Sequence, residues 1–163
     1  MKKVLFVCTG NVCRSPMAEG LFRELLGDHS DIVVSSAGIS AFDGQEPTDH
    51  SVAALREQGI DISSQRSRML TSEIAAEATF VVSMTRGHLE VLRSFLPVDI
   101  EKLFVLREFV SGVDMESPDI DVPDPIGMGK EAYERTRNLI QEAMSGLLEF
   151  VKKTSHPEND AEG

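Results

Sequence analysis

The sequence predicts an α/β fold in a single domain, with a parallel sheet at its centre. Short runs rich in β-branched residues alternate with longer stretches of helical periodicity, which is the pattern of parallel strands joined by crossover helices. A chain of 163 residues can bury a core without disulfides or a metal. Residues 1–153 are therefore predicted to form the domain, and the polar, acidic residues 154–163 to form a disordered tail.

The first strand and the first helix carry the clearest signals. The apolar run Val4–Val7 predicts a buried strand over Lys3–Cys8. Ser15 and Pro16 are a strong N-cap and first-turn pair, so a helix is predicted over Pro16–Leu26. Its apolar face is formed by Met17, Leu21 and Leu25.

The rest of the chain continues the alternation. β-rich runs predict three more strands, at Ile32–Ser36, Thr79–Met84 and Lys102–Leu106. Helical stretches lie between them at Thr48–Gln58, Ser72–Glu77 and Arg86–Phe95. The last helix is predicted over Lys130–Lys152, because an apolar stripe runs along it that is typical of packing against a core. The stripe consists of Thr136, Ile140, Ala143, Leu147 and Val151.

The segment between the first strand and the first helix has the layout of an anion-binding loop that carries its own nucleophile. The strand delivers Cys8 to a tight loop in which Gly10 and Asn11 permit positive φ. Backbone N–H groups turned inward at a helix N-terminus favour a bound phosphate, and together with the Ser15 hydroxyl they favour a thiolate at Cys8. Arg14 follows after five residues, so that its guanidinium can hold two phosphoryl oxygens.

A second catalytic group is expected in the long segment 111–125. Phosphoryl transfer to a thiolate needs an acid for the departing oxygen and later a base for water, and one carboxyl group can serve as both. Long ordered loops in compact domains are often functional. The residue pattern alone leaves the choice open among Asp114, Glu116, Asp119, Asp121 and Asp124.

The segment Val4–Glu19, which reads VLFVCTGNVCRSPMAE, resembles the signature of the low-molecular-weight protein tyrosine phosphatase family. That signature is a cysteine, five residues, an arginine and a serine, with Gly-Asn inside the loop. The likeness continues along the chain up to the predicted tail. It includes Ser36-Ala37-Gly38, Gly59-Ile60-Asp61-Ile62-Ser63, Ser67-Arg68, Met84-Thr85 and Asp124-Pro125.

The resemblance implies a four-stranded parallel sheet flanked by helices on both faces, with the phosphate-binding loop between the first strand and the first helix. It implies that Cys8 is the nucleophile, that Arg14 binds the phosphoryl group and that Asp124, of the Asp-Pro pair, is the general acid. The phosphate-binding loop then consists of Thr9, Gly10, Asn11, Val12, Cys13, Arg14 and Ser15. Asn11 and Ser15 are expected to support the loop, and Cys13 to form a reversible disulfide with Cys8 after oxidation.

The implied reaction is a two-step hydrolysis of phosphorylated protein side chains that releases inorganic phosphate, with phosphotyrosine ahead of phosphoarginine. Val12 matches the tyrosine-type loop, because the protein-arginine phosphatases of the family are associated with a threonine there. Ile126 and Gly127 stand where well-known tyrosine phosphatases of the family have aromatic residues, so Phe42 is the candidate for an aromatic wall.

Other features leave the substrate and the reaction class open. The segments Met84–His88 and Leu106–Val110 resemble the arginine branch, and Gln65 stands where many relatives have a histidine that supports the loop. An arsenate reductase would need further cysteines, and the chain has none after Cys13. A phosphocysteine carrier would keep the cysteine loop without needing the acid or the full charge of Arg14. A non-catalytic phosphate-binding module would keep only the loop amides.

The net charge of the chain restricts the classes of partner that its surface can bind. A net charge of −11 disfavours nucleic acid and anionic membrane surfaces, both of which would repel most of the exterior. The sequence shows no signal peptide and no apolar run long enough for a membrane span, and a reducing, cytoplasmic location is expected. No cofactor or metal is expected, since His29, His50, His88 and His156 are scattered without ligand spacing.

Overall fold

A computed structural model describes residues 1–29, 31–96 and 98–154. The strands are β1 (Lys2–Cys8), β2 (Ile32–Gly38), β3 (Phe80–Ser83) and β4 (Leu103–Val105). They form one four-stranded sheet in the order β2-β1-β3-β4, and each neighbouring pair is parallel. The predicted fold class, an α/β domain with a four-stranded parallel sheet, is confirmed. The predicted tail, apart from its first residue, Thr154, lies outside the described residues.

Helices cover both faces of this sheet. They are α1 (Arg14–Leu26), α2 (Asp49–Arg56), α3 (Ser72–Glu77), α4 (Arg86–Phe95), α5 (Lys130–Gln141) and α6 (Met144–Lys153). Short 3₁₀ turns flank β4 at Ile100–Lys102 and Leu106–Phe109. One apolar cluster holds buried residues of α1, α5 and α6, and a second holds those of α3 and α4, so the sheet separates two cores.

Strand β1 contributes to both cores by simple alternation. Val4, Phe6 and Cys8 belong to the cluster on the α1 side, whereas Leu5 and Val7 belong to the opposite cluster. Successive side chains of a strand point to opposite faces, so the buried run fixes the direction of the cysteine. Cys8 therefore leaves the end of β1 on the face where α1 begins.

The start of α1 differs from the prediction. The helix begins at Arg14 with Cys13 in the N-cap position, and no side chain caps it. Ser15 is not the N-cap, because its hydroxyl lies 2.9 Å from the sulfur of Cys8 instead. Pro16 still fits the first turn, where the N–H that it lacks would have no helical partner. Leu25 was predicted on the buried face and is 44% exposed.

The predicted helix over Lys130–Lys152 is two helices. The buried Arg107 donates to the carbonyl oxygen of Leu139 at 2.8 Å and to the carboxylate of Glu142 at 3.0 Å. Leu139 O would otherwise accept from the N–H of Ala143, which bonds to Ile140 O at 3.2 Å instead. The backbone N–H there bonds to the carbonyl three residues earlier, not four, which ends α5, and the chain then continues as α6. Gly146 of α6 then contacts the carbonyl group of Phe109 so closely that no Cβ would fit.

The order of the strands in the sheet determines where a ligand can bind. Because β1 lies between β2 and β3, the connections that leave the carboxyl ends of β1 and β3 diverge there. In open parallel sheets ligands bind in the crevice at such a point. Cys8 ends β1, and a short bend at residues 84–85 follows β3.

Candidate active site

A cavity of about 210 Å³ lies at the carboxyl end of β1. It is lined by Cys8, Thr9, Gly10, Val12, Cys13, Arg14, Asp124 and Ile126. The three predicted catalytic residues, Cys8, Arg14 and Asp124, are thus brought together although more than 100 positions separate the first from the last. Phe42 does not line this cavity, so the suggested aromatic wall is not present there. The apolar side chains at its mouth are Val12 and Ile126.

The loop around the cavity is held from outside through its carbonyl groups. The carbonyl oxygens of Cys8 and Thr9 accept from the N–H groups of Ile39 and Ser40, at 3.0 and 2.9 Å. That of Val12 accepts from Thr48 N at 2.9 Å. At Gly38 a Cβ would lie 2.6 Å from the carbonyl oxygen of Thr9, so only glycine allows the end of β2 to approach this closely.

Asn11 ties the loop to two other segments. It is buried and adopts φ 56°, a left-handed conformation that asparagine tolerates better than most residues. Its Nδ2 donates to Ser15 Oγ at 2.7 Å and to Ser36 Oγ at 2.9 Å. Its Oδ1 accepts from the N–H of Arg68 at 3.0 Å. Both amide hydrogens and the carbonyl oxygen of this side chain are thus satisfied.

This arrangement orients the hydroxyl of Ser15. Because Asn11 Nδ2 can only donate, Ser15 Oγ accepts from it and keeps its own proton for another partner. Cys8 Sγ lies 2.9 Å away. A hydroxyl that donates to sulfur stabilises the thiolate form, which is the nucleophilic form.

Arg14 connects the cavity with the loop that carries Asp124. Its side chain is buried, and its Nη1 donates to the carbonyl oxygen of Val122 at 2.9 Å. Its Nη2 lies 3.5 Å from Asp124 Oδ2, and the Asp124 side chain is 43% exposed. The other carboxylate oxygen, Oδ1, accepts from the N–H of Ile126 at 3.1 Å. The carboxyl group therefore faces the cavity from the side open to solvent.

Cys13 lies in a different environment from Cys8. Its Sγ is 3.4 Å from Tyr133 Oη and 3.7 Å from Thr48 Oγ1. Burial raises the pKa of the Cys13 thiol, and it also raises the pKa of Tyr133 to about 12. Both groups therefore stay protonated near pH 7. Sequence reasoning did not find Tyr133, because it lies 120 positions from Cys13 and packs as an ordinary helix residue.

Sequence reasoning also missed His88, which it set aside with the other scattered histidines. His88 lies in the first turn of α4, where its N–H donates to the N-cap Thr85 Oγ1 at 3.1 Å. Its Nε2 is 2.9 Å from Thr9 Oγ1. The signal that could have found it is topological, since the connection after β3 must meet the loop after β1. By contrast, the side chain of Gln65 donates to the carbonyl oxygen of Pro16 at 3.4 Å.

The ring of His88 is neutral near pH 7. Burial lowers the pKa of His88 from 6.5 to about 4, and the positive charge of Arg14 acts in the same direction. The carboxylates of Asp124 and Asp121 oppose this shift without cancelling it. The ring thus carries one N–H and one free lone pair.

The low pKa of His88 predicts that the free energy of unfolding decreases in acid. Between pH 6.5 and 4 the unfolded chain binds a proton at this histidine that the folded chain does not, so stability is full above pH 6.5 and falls as the pH approaches the folded pKa of about 4. From pH 7 to 4.5 the loss is about 2–3 kcal/mol. Urea unfolding at pH 7 and at pH 4.5 measures this loss. The decrease in the free energy of unfolding between the two pH values should be smaller in His88→Gln than in the wild type by this amount. Equal losses in the two proteins would contradict the neutral ring.

Two features are absent from the described residues. Residues 1–29, 31–96 and 98–154 include no group of three or more His, Cys, Asp or Glu side chains arranged to hold a metal ion. Within the same ranges no helix has both the length and the apolar character that a bilayer crossing requires.

Comparisons with known proteins agree with this geometry. The family model described as low molecular weight phosphotyrosine protein phosphatase matches residues 3–156. A protein-arginine-phosphatase from Geobacillus stearothermophilus is 38% identical over 152 residues, which cover 92% of this chain and 96% of that protein. A low molecular weight protein-tyrosine-phosphatase from Streptomyces coelicolor is 33% identical over 159 residues, covering 93% of this chain and 94% of that protein.

A solved structure extends the likeness to three dimensions. It is the arginine phosphatase YwlE, as a cysteine-to-serine variant with a phosphorylated active-site serine, and it is 36% identical to this chain with a TM-score of 0.83. The superposition covers 93% of this chain and 96% of that one. The chain therefore belongs to the low molecular weight phosphotyrosine protein phosphatase family.

Proposed function

We propose that this phosphatase hydrolyses phosphotyrosine in proteins, through a phosphocysteine formed on Cys8. The observation that carries the proposal is the cavity of about 210 Å³ in which Cys8, Arg14 and Asp124 meet beneath an apolar mouth. A thiolate, a guanidinium and a carboxyl group around one small cavity are the groups that phosphoryl transfer to sulfur and its reversal by water require.

In the first step the Cys8 thiolate attacks phosphorus in line with the departing phenol oxygen. The backbone amides of residues 9–15 and the guanidinium of Arg14 hold the equatorial oxygens and neutralise their developing charge. The carboxyl group of Asp124 gives its proton to the phenol oxygen. The P–O bond to the phenol breaks as the P–S bond forms.

In the second step water attacks the phosphocysteine. The Asp124 carboxylate accepts a proton from that water, inorganic phosphate leaves, and the sulfur departs as a thiolate that receives a hydrogen bond from Ser15. The distance of 2.9 Å between Ser15 Oγ and Cys8 Sγ supports this role. Arg14 can act in both steps, because it lines the cavity and its bond to Val122 O holds the guanidinium in place.

Phosphotyrosine is favoured over phosphoarginine by the chemistry of the mouth. Val12 and Ile126 offer apolar surface to an aromatic ring, and neither side chain can accept a hydrogen bond from a guanidine N–H. Phosphoarginine is the second candidate, because relatives from Geobacillus stearothermophilus and Bacillus subtilis, 38% and 36% identical, are protein-arginine-phosphatases.

Val12→Thr tests this preference directly. The change keeps the β-branched shape and adds one hydroxyl at the mouth of the cavity. We expect the ratio of kcat/KM for phosphotyrosyl over phosphoarginyl peptides to fall by about tenfold, the effect of one hydrogen bond gained by one substrate only. Val12→Ile is the matched control and should keep the wild-type ratio. A Val12→Thr enzyme with an unchanged ratio would reject this account of specificity.

Phosphorylated proteins are thus the proposed substrates and inorganic phosphate the product. A phosphocysteine carrier is disfavoured because the acid of Asp124 stands over the same cavity as the nucleophile. The cytoplasmic location, the absence of a nucleic-acid or membrane partner, and a Cys8–Cys13 disulfide stay predictions. A reducing compartment would suit an enzyme whose nucleophile must stay unoxidised.

A further inference from the structure

The contact between Thr9 and His88 joins an exposed residue of the cavity wall to a buried one. Thr9 lines the cavity, follows the nucleophile directly and is exposed. His88 is only 6% exposed, and its Nε2 lies 2.9 Å from Thr9 Oγ1. Its other ring nitrogen, Nδ1, is the one buried side-chain nitrogen or oxygen without a hydrogen-bond partner among the described residues.

The unpartnered nitrogen indicates which tautomer the ring adopts. A proton on Nδ1 would leave a buried N–H donor unpaired, whereas a proton on Nε2 leaves only a lone pair unpaired. Orphaned buried donors are rarer than under-used acceptors. The Nε2–H tautomer therefore donates to Thr9 Oγ1, and the neutral state of the ring allows it.

The hydroxyl proton of Thr9 is then free for a different acceptor. A hydroxyl that accepts from His88 keeps its single O–H donor, and the Thr9 side chain is exposed and lines the cavity. In the proposed mechanism the loop amides and Arg14 hold the phosphoryl oxygens. A backbone carbonyl group beside the phosphorylated residue is an acceptor that every protein substrate offers and that a small phosphate ester lacks.

We propose that His88 is a positioning residue that makes Thr9 a hydrogen-bond donor to the backbone of the substrate protein. This inference rests on the proposed function, because it concerns how the same cavity tells a peptide from a small phosphate ester. Val12 and Ile126 contact the side chain that carries the phosphate, and Thr9 contacts the chain to which that residue belongs. No proton transfer is assigned to either residue of the pair.

The test compares a phosphotyrosyl peptide with p-nitrophenyl phosphate, which has no peptide carbonyl group. In Thr9→Val and His88→Leu, kcat/KM should fall about fivefold more for the peptide than for the small ester, mainly through KM. Thr9→Ser keeps the hydroxyl, and His88→Gln keeps a side-chain N–H donor. Both variants should therefore keep the wild-type ratio of kcat/KM for the peptide over the small ester. In the double variant Thr9→Val/His88→Leu, kcat/KM for the peptide should fall no further than in the more damaging of the two single variants, because each change breaks the same interaction.

Several outcomes would overturn the inference. Equal losses on both substrates would mean that the pair acts only on the loop, and additive losses in the double variant would mean that the residues act separately. Nitrogen-15 chemical shifts of the His88 ring give a measurement that needs no variant, and a proton found on Nδ1 would contradict the assigned tautomer. Failure of the wild type to turn over either substrate would instead reject the proposed function itself.

Discussion

Cys8→Ser is expected to lower kcat on phosphotyrosyl peptides by roughly 10⁴-fold or more, because a serine hydroxyl lacks the nucleophilicity of a thiolate at neutral pH. The change removes a sulfur that lies 2.9 Å from Ser15 Oγ and keeps the size of the side chain nearly the same. The loop amides and Arg14 remain, so inorganic phosphate should still bind. Steady-state kinetics and calorimetric titration with phosphate measure the two quantities separately.

Cys13→Ser is the matched control for this variant. It exchanges the other cysteine, whose pKa is raised by burial, and leaves the proposed nucleophile in place. We expect it to turn over far faster than Cys8→Ser, and the wild-type rate to persist in a chelator. Turnover by Cys8→Ser close to that of the wild type would reject the mechanism. Stoichiometric labelling of the wild type without turnover would favour a phosphocysteine carrier.

Asp124→Asn is expected to reduce kcat by about 10²–10³-fold for phosphotyrosyl peptides, because an amide can neither protonate the phenol oxygen nor accept a proton from water. With p-nitrophenyl phosphate, whose leaving group needs little protonation, the first step should stay comparatively fast. Phosphocysteine should then accumulate on Cys8. A burst of one p-nitrophenol per enzyme, followed by slow turnover, is the kinetic sign, and intact-protein mass spectrometry should detect the added phosphoryl group.

The same loop provides a control for Asp124. Asp119 is exposed, and its backbone carbonyl oxygen accepts from Arg107 Nε at 2.6 Å, while its carboxylate has no hydrogen bond or ion pair with any described residue. Asp119→Asn removes the same charge from the same loop and should leave kcat within about twofold of the wild type, since exposed charges interact weakly. Similar losses in both variants would show that loop charge, rather than a proton-transfer group at position 124, governs the rate.

The sheet could be read from the sequence because its signals are local. The apolar run Val4–Val7 fixed β1, and its alternation fixed the face on which Cys8 leaves the strand. The four strands lie where the β-rich runs predicted them, with ends that shift by one or two residues, as at Gly38. The residues of the loop were likewise local, since Cys8 and Arg14 are separated by a fixed short spacing.

The features that sequence reasoning missed depend on contacts between distant segments. The break between α5 and α6 arises because Arg107 takes the Leu139 carbonyl oxygen, and nothing in the helical stripe itself signals this. The start of α1 shifted because Ser15, a good N-cap by type, is engaged by Cys8 and Asn11. His88 became visible only when the strand order brought the end of β3 beside the end of β1.

The hydrogen-bonded unit of Asn11, Ser15, Ser36 and Arg68 has a consequence for how this protein can change over generations. Its members come from the loop, α1, β2 and the segment after α2, and each satisfies a group on another. An exchange of Asn11, Ser15 or Ser36 removes the side-chain partner of another buried polar group. Arg68 meets Asn11 through its backbone N–H, which any residue except proline offers, so position 68 is less constrained. Homologues are therefore expected to keep or replace Asn11, Ser15 and Ser36 jointly, while Val12 and Ile126, whose side chains share no such bonds, drift freely and diversify the substrates.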